Sequence, residues 1–366
     1  MKNKIITVTF VILLVSVFLV NLVVPAKELS ESERRKLEQL PPLNFESIWT
    51  GDAMSQFDDY TLDQFFLRDG FRAIKAFVEF KLFKKSDNNN IYVIGDSVYK
   101  LEYPLKLNRV EGMADYLNRI YEEYLQDSKV YYAIIPDKNY FVAQQNGYLS
   151  LDYELLIERL TERVANMTYI NLFDTLTAED FYRTDTHWRQ ENLDRAVARI
   201  AERMNFLTDP SKIEYVQKEH YPFYGVYYGQ AALNIKPDTL YYLESMWTRD
   251  AIVNNIEYKG DPSQAPGVYD ENRLTGMDSY DVFLSGATAL TEIVNLNNVT
   301  GKELIIFRDS FGGSIAPLLL EEYSKITLVD TRYISSTLLP EYVDFHGQDV
   351  LFLYSTLVVN SSNILK

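Results

Sequence analysis

Along residues 91–366 of this chain, the spacing of apolar residues alternates between two patterns. Short apolar runs, typical of buried strands, alternate with longer segments whose apolar residues recur at helical spacing. This alternation predicts an α/β fold with a mostly parallel sheet flanked by helices. The predicted strands are 130–135, 168–173, 304–307, 326–330 and 350–354, and the predicted helices are 107–125, 151–166, 190–204 and 314–323.

The N-terminus carries an apolar run. Lys2 and Lys4 precede residues 5–24, which contain no charged side chain. About 20 helical residues, at a rise of about 1.5 Å each, span a hydrocarbon core of about 30 Å. Residues 1–26 are therefore predicted to be a signal peptide or a transmembrane anchor, and the length of the run favours an uncleaved anchor. We expect the remainder at the extracytoplasmic face of the cell membrane, or secreted if the segment is cleaved.

Two further regions flank or interrupt the α/β pattern. Residues 27–90 are predicted to be a linker followed by two amphipathic helices between 54 and 85, whose apolar faces pack against the main domain, a membrane or a partner. Residues 91–366 form the predicted α/β domain. Within it, residues 207–297 are richer in Tyr, Gly, Asn and Asp, and we interpret them as a substrate-facing insertion.

The segment Thr184-Asp185-Thr186-His187-Trp188 carries a candidate acid and base. In an extended segment, side chains two residues apart point to the same side, so Asp185 and His187 project together. A carboxylate in that position can fix the tautomer of the imidazole and leave its other nitrogen free to accept a proton from a serine.

The candidate serine is Ser310, in Arg308-Asp309-Ser310-Phe311-Gly312-Gly313. It follows the apolar run 304–307 and precedes small residues that can begin a tightly packed helix. A strand, a sharp turn and a helix would expose Ser310 and aim backbone N–H groups, including that of Phe311, at a developing oxyanion. Taken alone, each motif is more often structural, since an Asp-Ser before a helix is commonly an N-cap.

The chain contains a second serine motif that could supply the nucleophile. Gly95-Asp96-Ser97 also follows an apolar strand, but the alternation in 98–104 predicts a return strand and makes Gly95-Asp96 a hairpin turn. Ser97 is therefore not the predicted nucleophile. His220 and His346 lack an Asp-x-His partner and are interpreted as structural or exposed.

The composition of the chain limits which partners, catalytic groups and cofactors it can use. The 366 residues carry a formal net charge of −16, which disfavours nucleic acid and anionic lipid surfaces as partners. With no cysteine and three scattered histidines, the chain has no thiol nucleophile and no expected metal site. The predicted chemistry requires no cofactor.

The chain resembles the DHHW family of bacterial cell-surface proteins, which is similar to the alginate O-acetyltransferase group. That resemblance implies a circularly permuted SGNH-hydrolase-like domain, with Asp185, His187 and Ser310 as the triad in reversed chain order. For the oxyanion glycine it leaves Gly286, Gly225 and Gly229 as candidates, and we expect Trp188 and Arg308 beside the motifs to contact substrate. The matching segments are 32–37, 63–69, 184–188, 278–286 and 308–333.

The resemblance and the motifs predict two-step acyl transfer outside the cell. Transfer to a sugar hydroxyl makes the protein a polysaccharide O-acetyltransferase, and transfer to water makes it a deacetylase or esterase. A binding or scaffold protein with a degenerate site is the third interpretation. Because acetyl-CoA is not expected outside the cell, the transferase interpretation implies an integral-membrane acyltransferase partner.

Overall fold

A computed structural model describes residues 2–30, 32–42, 44–261 and 264–366. The chain divides into two compact units. The N-terminal unit comprises Met1–Ile91 and Tyr228–Ile235, and the C-terminal unit comprises Tyr92–Tyr227 and Lys236–Lys366. The return of Tyr228–Ile235 to the N-terminal unit has no counterpart in the local sequence pattern.

The strands are short and fall into four sheets. In chain order, those in the described residues are β1 (Leu29–Ser30), β2 (Arg35–Lys36), β3 (Ile91–Ile94), β4 (Ser97–Lys100), β5 (Lys129–Ile135), β6 (Thr168–Asn171), β7 (Val216–Phe223), β8 (Asp238–Glu244), β9 (Ile252–Asn255), β10 (Leu290–Val294), β11 (Glu303–Arg308), β12 (Lys325–Val329) and β13 (Asp349–Ser355).

The helices range from single turns to the 22-residue α1. They are α1 (Lys2–Val23), α2 (Phe45–Thr50), α3 (Asp52–Asp63), α4 (Arg68–Phe77), α5 (Leu107–Tyr124), α6 (Lys138–Val142), α7 (Tyr153–Arg163), α8 (Asp194–Met204), α9 (Val226–Ala231), α10 (Met246–Arg249), α11 (Phe311–Ile315) and α12 (Thr356–Val359). By length and composition, α1 is the one helix in the described part of the chain that could cross a membrane.

The main sheet has seven strands in the order β6-β5-β13-β11-β12-β10-β9. The first five strands in this order, β6, β5, β13, β11 and β12, are parallel to one another. Strand β10 is antiparallel to both of its neighbours, β12 and β9. The predicted α/β class with a mostly parallel sheet is therefore confirmed, and the five predicted strands are β5, β6, β11, β12 and β13. The region 207–297 is not wholly an insertion, because its strands β9 and β10 extend this sheet. Polar residues within these two strands interrupt the apolar runs by which the other strands were predicted.

Strand β11 lies in the middle of the sheet and is buried on both faces. Leu304 and Ile306 belong to the apolar cluster that includes α8 and α11, whereas Ile305 and Phe307 belong to the cluster beneath α5 and α7. Burial of each such side chain contributes about 1.5–3 kcal/mol. The strand that precedes Ser310 is thus fixed from both sides.

Two local predictions have different outcomes. The hairpin at Gly95-Asp96 is confirmed, since β3 and β4 pair with Gly95 at a φ of +62°. The single helix predicted over 314–323 is wrong: α11 ends at Ile315 and a 3-10 turn follows at Ala316–Leu319. Pro317 has no N–H to continue the α-helical ladder.

In the N-terminal unit, the two segments that resemble the DHHW family, 32–37 and 63–69, are joined by ion pairs. The guanidinium of Arg35 donates to both carboxylate oxygens of Asp63, at 2.7 and 2.5 Å. Arg68 lies 2.5 Å from Glu33, and Arg72 lies 3.2 Å from the same carboxylate. The hydrogen bonds from Arg35 lower the pKa of Asp63, so the buried carboxylate stays charged.

We predict that Asp63→Asn loosens the N-terminal unit by about 1–2 kcal/mol, because it removes the charge that Arg35 and Arg68 share. Hydrogen exchange of the α3 and α4 amides measures the loss. In the wild type, the same protection is present above about pH 4 and lost as the pH falls through the lowered pKa of Asp63. Asp69→Asn is the matched control, because Asp69 is 63% exposed and its ion pairs are longer; equal effects of both changes would contradict the prediction.

Candidate functional site

A small pocket opens at the C-terminal ends of the central parallel strands, where ligands bind in α/β sheets of this kind. Its volume is about 230 Å³. Ser310 follows β11 and Arg332 follows β12, so adjacent strands supply two of its walls. The residues that line it are His187, Asp278, Tyr280, Asp281, Phe283, Gly286, Ala287, Ser310, Arg332 and Tyr333.

Ser310, His187 and Asp185 form a hydrogen-bonded row at this pocket. His187 Nε2 lies 2.7 Å from Ser310 Oγ, and His187 Nδ1 lies 2.6 Å from Asp185 Oδ1. With its proton on Nδ1, the imidazole donates to the carboxylate and accepts from the serine hydroxyl. Asp185 is 1% exposed and does not line the pocket, whereas His187 and Ser310 both line it.

The carboxylate of Asp185 is held from two further directions. Its Oδ1 accepts the backbone N–H of His187 at 2.9 Å, and its Oδ2 accepts the backbone N–H of Val226 at 2.7 Å. Gly225 packs directly on this residue, since a Cβ there would overlap the Asp185 side chain and the Thr184 carbonyl. Gly225 is therefore placed behind the carboxylate and not at the serine.

Two buried residues that the sequence analysis missed hold the backbone of the same segment. Lys138 Nζ lies within hydrogen-bonding distance, 2.7–3.1 Å, of four carbonyl oxygens that share its N–H donors, those of Val98, Tyr182, Arg183 and Asp185. Burial lowers the pKa of Lys138 to about 7, against the attraction of Asp185 and Asp238. Asp238 accepts the N–H and the hydroxyl of Thr184, at 2.9 and 2.6 Å. No local motif marks either residue, because their partners are distant in the chain.

The imidazole of His187 rests on the ring of Tyr280. The two ring centroids are 3.9 Å apart and the planes differ by 9°. The Tyr280 hydroxyl donates to Ser314 Oγ at 2.8 Å, and Trp188 Nε1 donates to the same oxygen at 2.7 Å. The expected substrate contact of Trp188 is thereby corrected: its side chain is fully buried and supports the site from behind.

Asp309 shapes the turn that carries Ser310. Its Oδ1 accepts the N–H of Phe311 at 3.1 Å, and its Oδ2 accepts the N–H of Ser355 at 2.8 Å. The carboxylate thus links the turn after β11 to the end of β13. The predicted oxyanion role of Phe311 needs correction, because its N–H already donates to this carboxylate.

The two glycines predicted for the oxyanion also have other positions. The N–H of Gly286 donates to Phe283 O at 3.0 Å, although Gly286 does line the pocket. Gly229 belongs to the N-terminal unit, where its carbonyl accepts from Arg72 at 2.9 Å and its Cα packs on Ser32. Among the described residues that line the pocket, Ser310 and Ala287 have backbone N–H groups that donate to no protein group.

Arg308 is a structural residue and not the expected substrate contact. It is 1% exposed, and Nη2 donates to Gly286 O at 3.3 Å. Burial lowers the pKa of its guanidinium. Arg308 therefore ties the strand before Ser310 to the pocket wall that contains Gly286.

Arg332 brings a positive charge to the pocket, a role that the sequence analysis did not assign. Its guanidinium donates to Asp330 at 2.8 and 2.6 Å. Burial opposes the charge, but these bonds outweigh it and raise the pKa of Arg332. The side chain is 19% exposed and remains charged where it lines the pocket.

The other candidate groups lie elsewhere. Ser97 and His220 belong to the hairpin strands β4 and β7, and His346 is half exposed and accepts from Gln348. Within 2–30, 32–42, 44–261 and 264–366, no group of three or more His, Asp or Glu side chains is arranged to hold a metal ion.

The mostly parallel sheet, with a serine, a histidine and an aspartate meeting at its C-terminal edge, defines an α/β protein with a candidate Ser-His-Asp site. A family model described as DHHW protein matches residues 81–329. This match covers more than half of the chain, which therefore belongs to the DHHW family.

The first two of the following solved structures share the fold, and the third is a more distant match. A DHHW family protein from Eubacterium siraeum DSM 15702 is 20% identical, with a TM-score of 0.63 over 76% of this chain and 94% of that one. Bacillus cereus PatB1 is 15% identical, with a TM-score of 0.55 over 76% and 98%. The O-acetyltransferase domain of Pseudomonas putida AlgJ is 13% identical, with a TM-score of 0.43 over 74% and 92%. No curated protein matches the chain.

We predict that Gly225→Ala lowers the free energy of unfolding by about 1–3 kcal/mol, because the added methyl overlaps Asp185 and Thr184. Urea denaturation followed by circular dichroism measures the change. Gly70→Ala is the matched control, since a Cβ at this helical position meets no atom within 4 Å. A stability loss no greater than that of the control would mean that Gly225 does not brace the carboxylate.

Proposed function

We propose that this protein is an extracytoplasmic serine acyltransferase that moves acetyl groups onto a hydroxyl of a cell-surface or exported polysaccharide. The row of Ser310, His187 and Asp185, with separations of 2.7 and 2.6 Å, is the observation that carries the proposal. The similarity of the DHHW family to the alginate O-acetyltransferase group supports the choice of acetyl and polysaccharide.

In the first step, Ser310 Oγ attacks the carbonyl carbon of an acetyl ester while His187 Nε2 takes the hydroxyl proton. The tetrahedral intermediate collapses, the donor oxygen leaves with the proton from His187, and the acetyl group remains on Ser310. In the second step, His187 Nε2 takes a proton from the acceptor hydroxyl, whose oxygen attacks the acetyl carbonyl carbon. The bond from that carbon to Ser310 Oγ then breaks, and the proton passes from His187 back to Ser310 Oγ. Asp185 keeps the imidazole in the required tautomer and stabilises its charged form.

The oxyanion is stabilised by groups that line the pocket. The N–H groups of Ser310 and Ala287, free of protein acceptors in the described chain, are the proposed donors. The charged guanidinium of Arg332, on the wall that follows β12, adds positive potential to the pocket. Oriented donors in a site with little water contribute strongly because the dielectric screening is weak.

The pocket volume supports a small acyl group. At about 230 Å³, the pocket lies below the range of about 300–1,000 Å³ that is typical of sites for drug-sized ligands. An acetyl group fits such a space. We propose that an integral-membrane acyltransferase brings the acetyl group across the membrane, and that α1 keeps the protein at the extracytoplasmic face.

We predict that Ser310→Ala lowers the turnover of an activated acetyl ester, such as p-nitrophenyl acetate, by about 10³-fold or more, because the nucleophile is lost. Ser97→Ala is the matched control and leaves the turnover unchanged. Loss of activity only in Ser97→Ala would reverse the choice of nucleophile. No turnover by folded wild type would favour a binding or scaffold protein, or a transferase that requires its membrane partner.

In the producing cell, deletion of the gene is expected to lower the acetyl content of a surface polysaccharide, measured by NMR of the purified polymer. Restoration by the wild-type gene, and not by the Ser310→Ala gene, connects the effect to the site. Higher acetylation after deletion would instead identify a deacetylase, and unchanged acetylation would contradict the proposal.

A further inference from the structure

Helix α4 has an inverted arrangement of polar and apolar residues. Arg68 and Arg72 face the rest of the N-terminal unit and pair with Glu33, at 2.5 and 3.2 Å. Ala76, on the same side of the helix, is fully buried. The apolar side chains of the helix point away. Phe71, for example, is 55% exposed.

The exposed apolar residues form one surface, which continues from α4 into the corner that joins it to α3. Phe65 in the corner and Phe71 in the helix are in edge-to-face contact, with ring centroids 5.6 Å apart. Each member is at least 39% exposed. We call this set the apolar surface: Phe65, Phe66, Leu67, Phe71, Ile74 and Phe77.

Hydrogen bonds join this corner to the C-terminal end of α1. The N–H of Phe66 donates to Asn21 Oδ1 at 2.7 Å. Just beyond α1, the side chain of Gln64 exchanges two hydrogen bonds of 2.8 Å with the backbone of Lys27. At about 1.5 Å per residue, Asn21 lies only about 3 Å below the last residue of α1. If α1 spans a bilayer, the corner is held at the depth of the lipid headgroups.

The charge of this segment also suits a lipid surface. The formal net charge of −16 disfavours anionic lipid as a partner for the chain as a whole, but the local charge of residues 68–85 is positive, with six lysines or arginines and two acidic residues. The side chains of Lys75, Lys81 and Lys84 are exposed, and these lysines lie in α4 or within seven residues of its end. Amphipathic segments that combine exposed aromatic residues with lysines bind in the interface of bilayers that contain anionic lipids.

We propose that the apolar surface lies in the lipid interface of the membrane that α1 spans. Because Arg68 and Arg72 are tied to Glu33, the unit cannot turn this face inward without breaking two partly buried ion pairs. The bilayer covers the aromatic side chains that would otherwise face water. Two attachments, the spanning helix and this interfacial segment, hold the N-terminal unit on the membrane. The inference does not depend on the proposed acetyl transfer.

The absence of cysteine from the chain provides a direct test. We would prepare the full chain with Ile74→Cys, label it with the fluorophore NBD, and reconstitute it in phosphatidylethanolamine–phosphatidylglycerol vesicles. Ile74 is 61% exposed, so the change does not disturb packing. Asp115→Cys, at a 71% exposed side chain of α5 in the C-terminal unit, is the matched control.

The expected result at position 74 is loss of NBD emission with lipids that carry a nitroxide near the headgroup, a smaller loss with a nitroxide at the acyl chain end, and protection from aqueous iodide. The label at position 115 shows the reverse, with quenching by iodide and none by lipid. Quenching of position 74 by iodide would overturn the proposal. Protection from both iodide and lipid would also overturn it, because protein would then cover the surface.

Discussion

The buried carboxylate of Asp185 is the group on which the arrangement of the site depends. It accepts hydrogen bonds from the imidazole of His187 and from the backbone N–H groups of His187 and Val226. A charge in this position is costly unless its oxygens are satisfied, so the surrounding backbone must adopt one conformation. Lys138 and Asp238 fix the adjacent carbonyl and N–H groups, and Gly225 leaves the space that the carboxylate fills.

The parallel sheet brings the other half of the site to this carboxylate. Ser310 follows β11, the middle strand, and Asp309 bonds to Ser355 at the end of β13. Asp330 and Arg332 follow β12 on the other side. Because the C-terminal ends of parallel strands lie along one edge, residues far apart in the chain meet at one pocket. The apolar faces of β11 pack on both sides, and this packing gives the nucleophile a rigid support.

The N-terminal unit distributes its polar and apolar side chains differently. Its most polar contacts are internal, with Arg35 on Asp63 and Arg68 on Glu33, and its aromatic side chains face outward. This distribution is the reverse of that in a water-soluble domain, where exposed apolar patches are small. It matches a segment that follows an apolar helix of 22 residues and lies at the boundary between lipid and water.

The sequence by itself determined the α/β class, five of the strands and the DHHW family, because apolar runs and short motifs are local signals. It also singled out Ser310, His187 and Asp185 through residue type and spacing. Only the tertiary structure decided that Trp188 and Arg308 are buried supports and that the N–H of Phe311 is occupied by Asp309. The positions of Lys138, Tyr280 and Arg332 at or behind the pocket, and the outward face of α4, are likewise tertiary properties. Each depends on which distant backbone and side-chain groups a residue contacts, and a local pattern carries no record of such contacts.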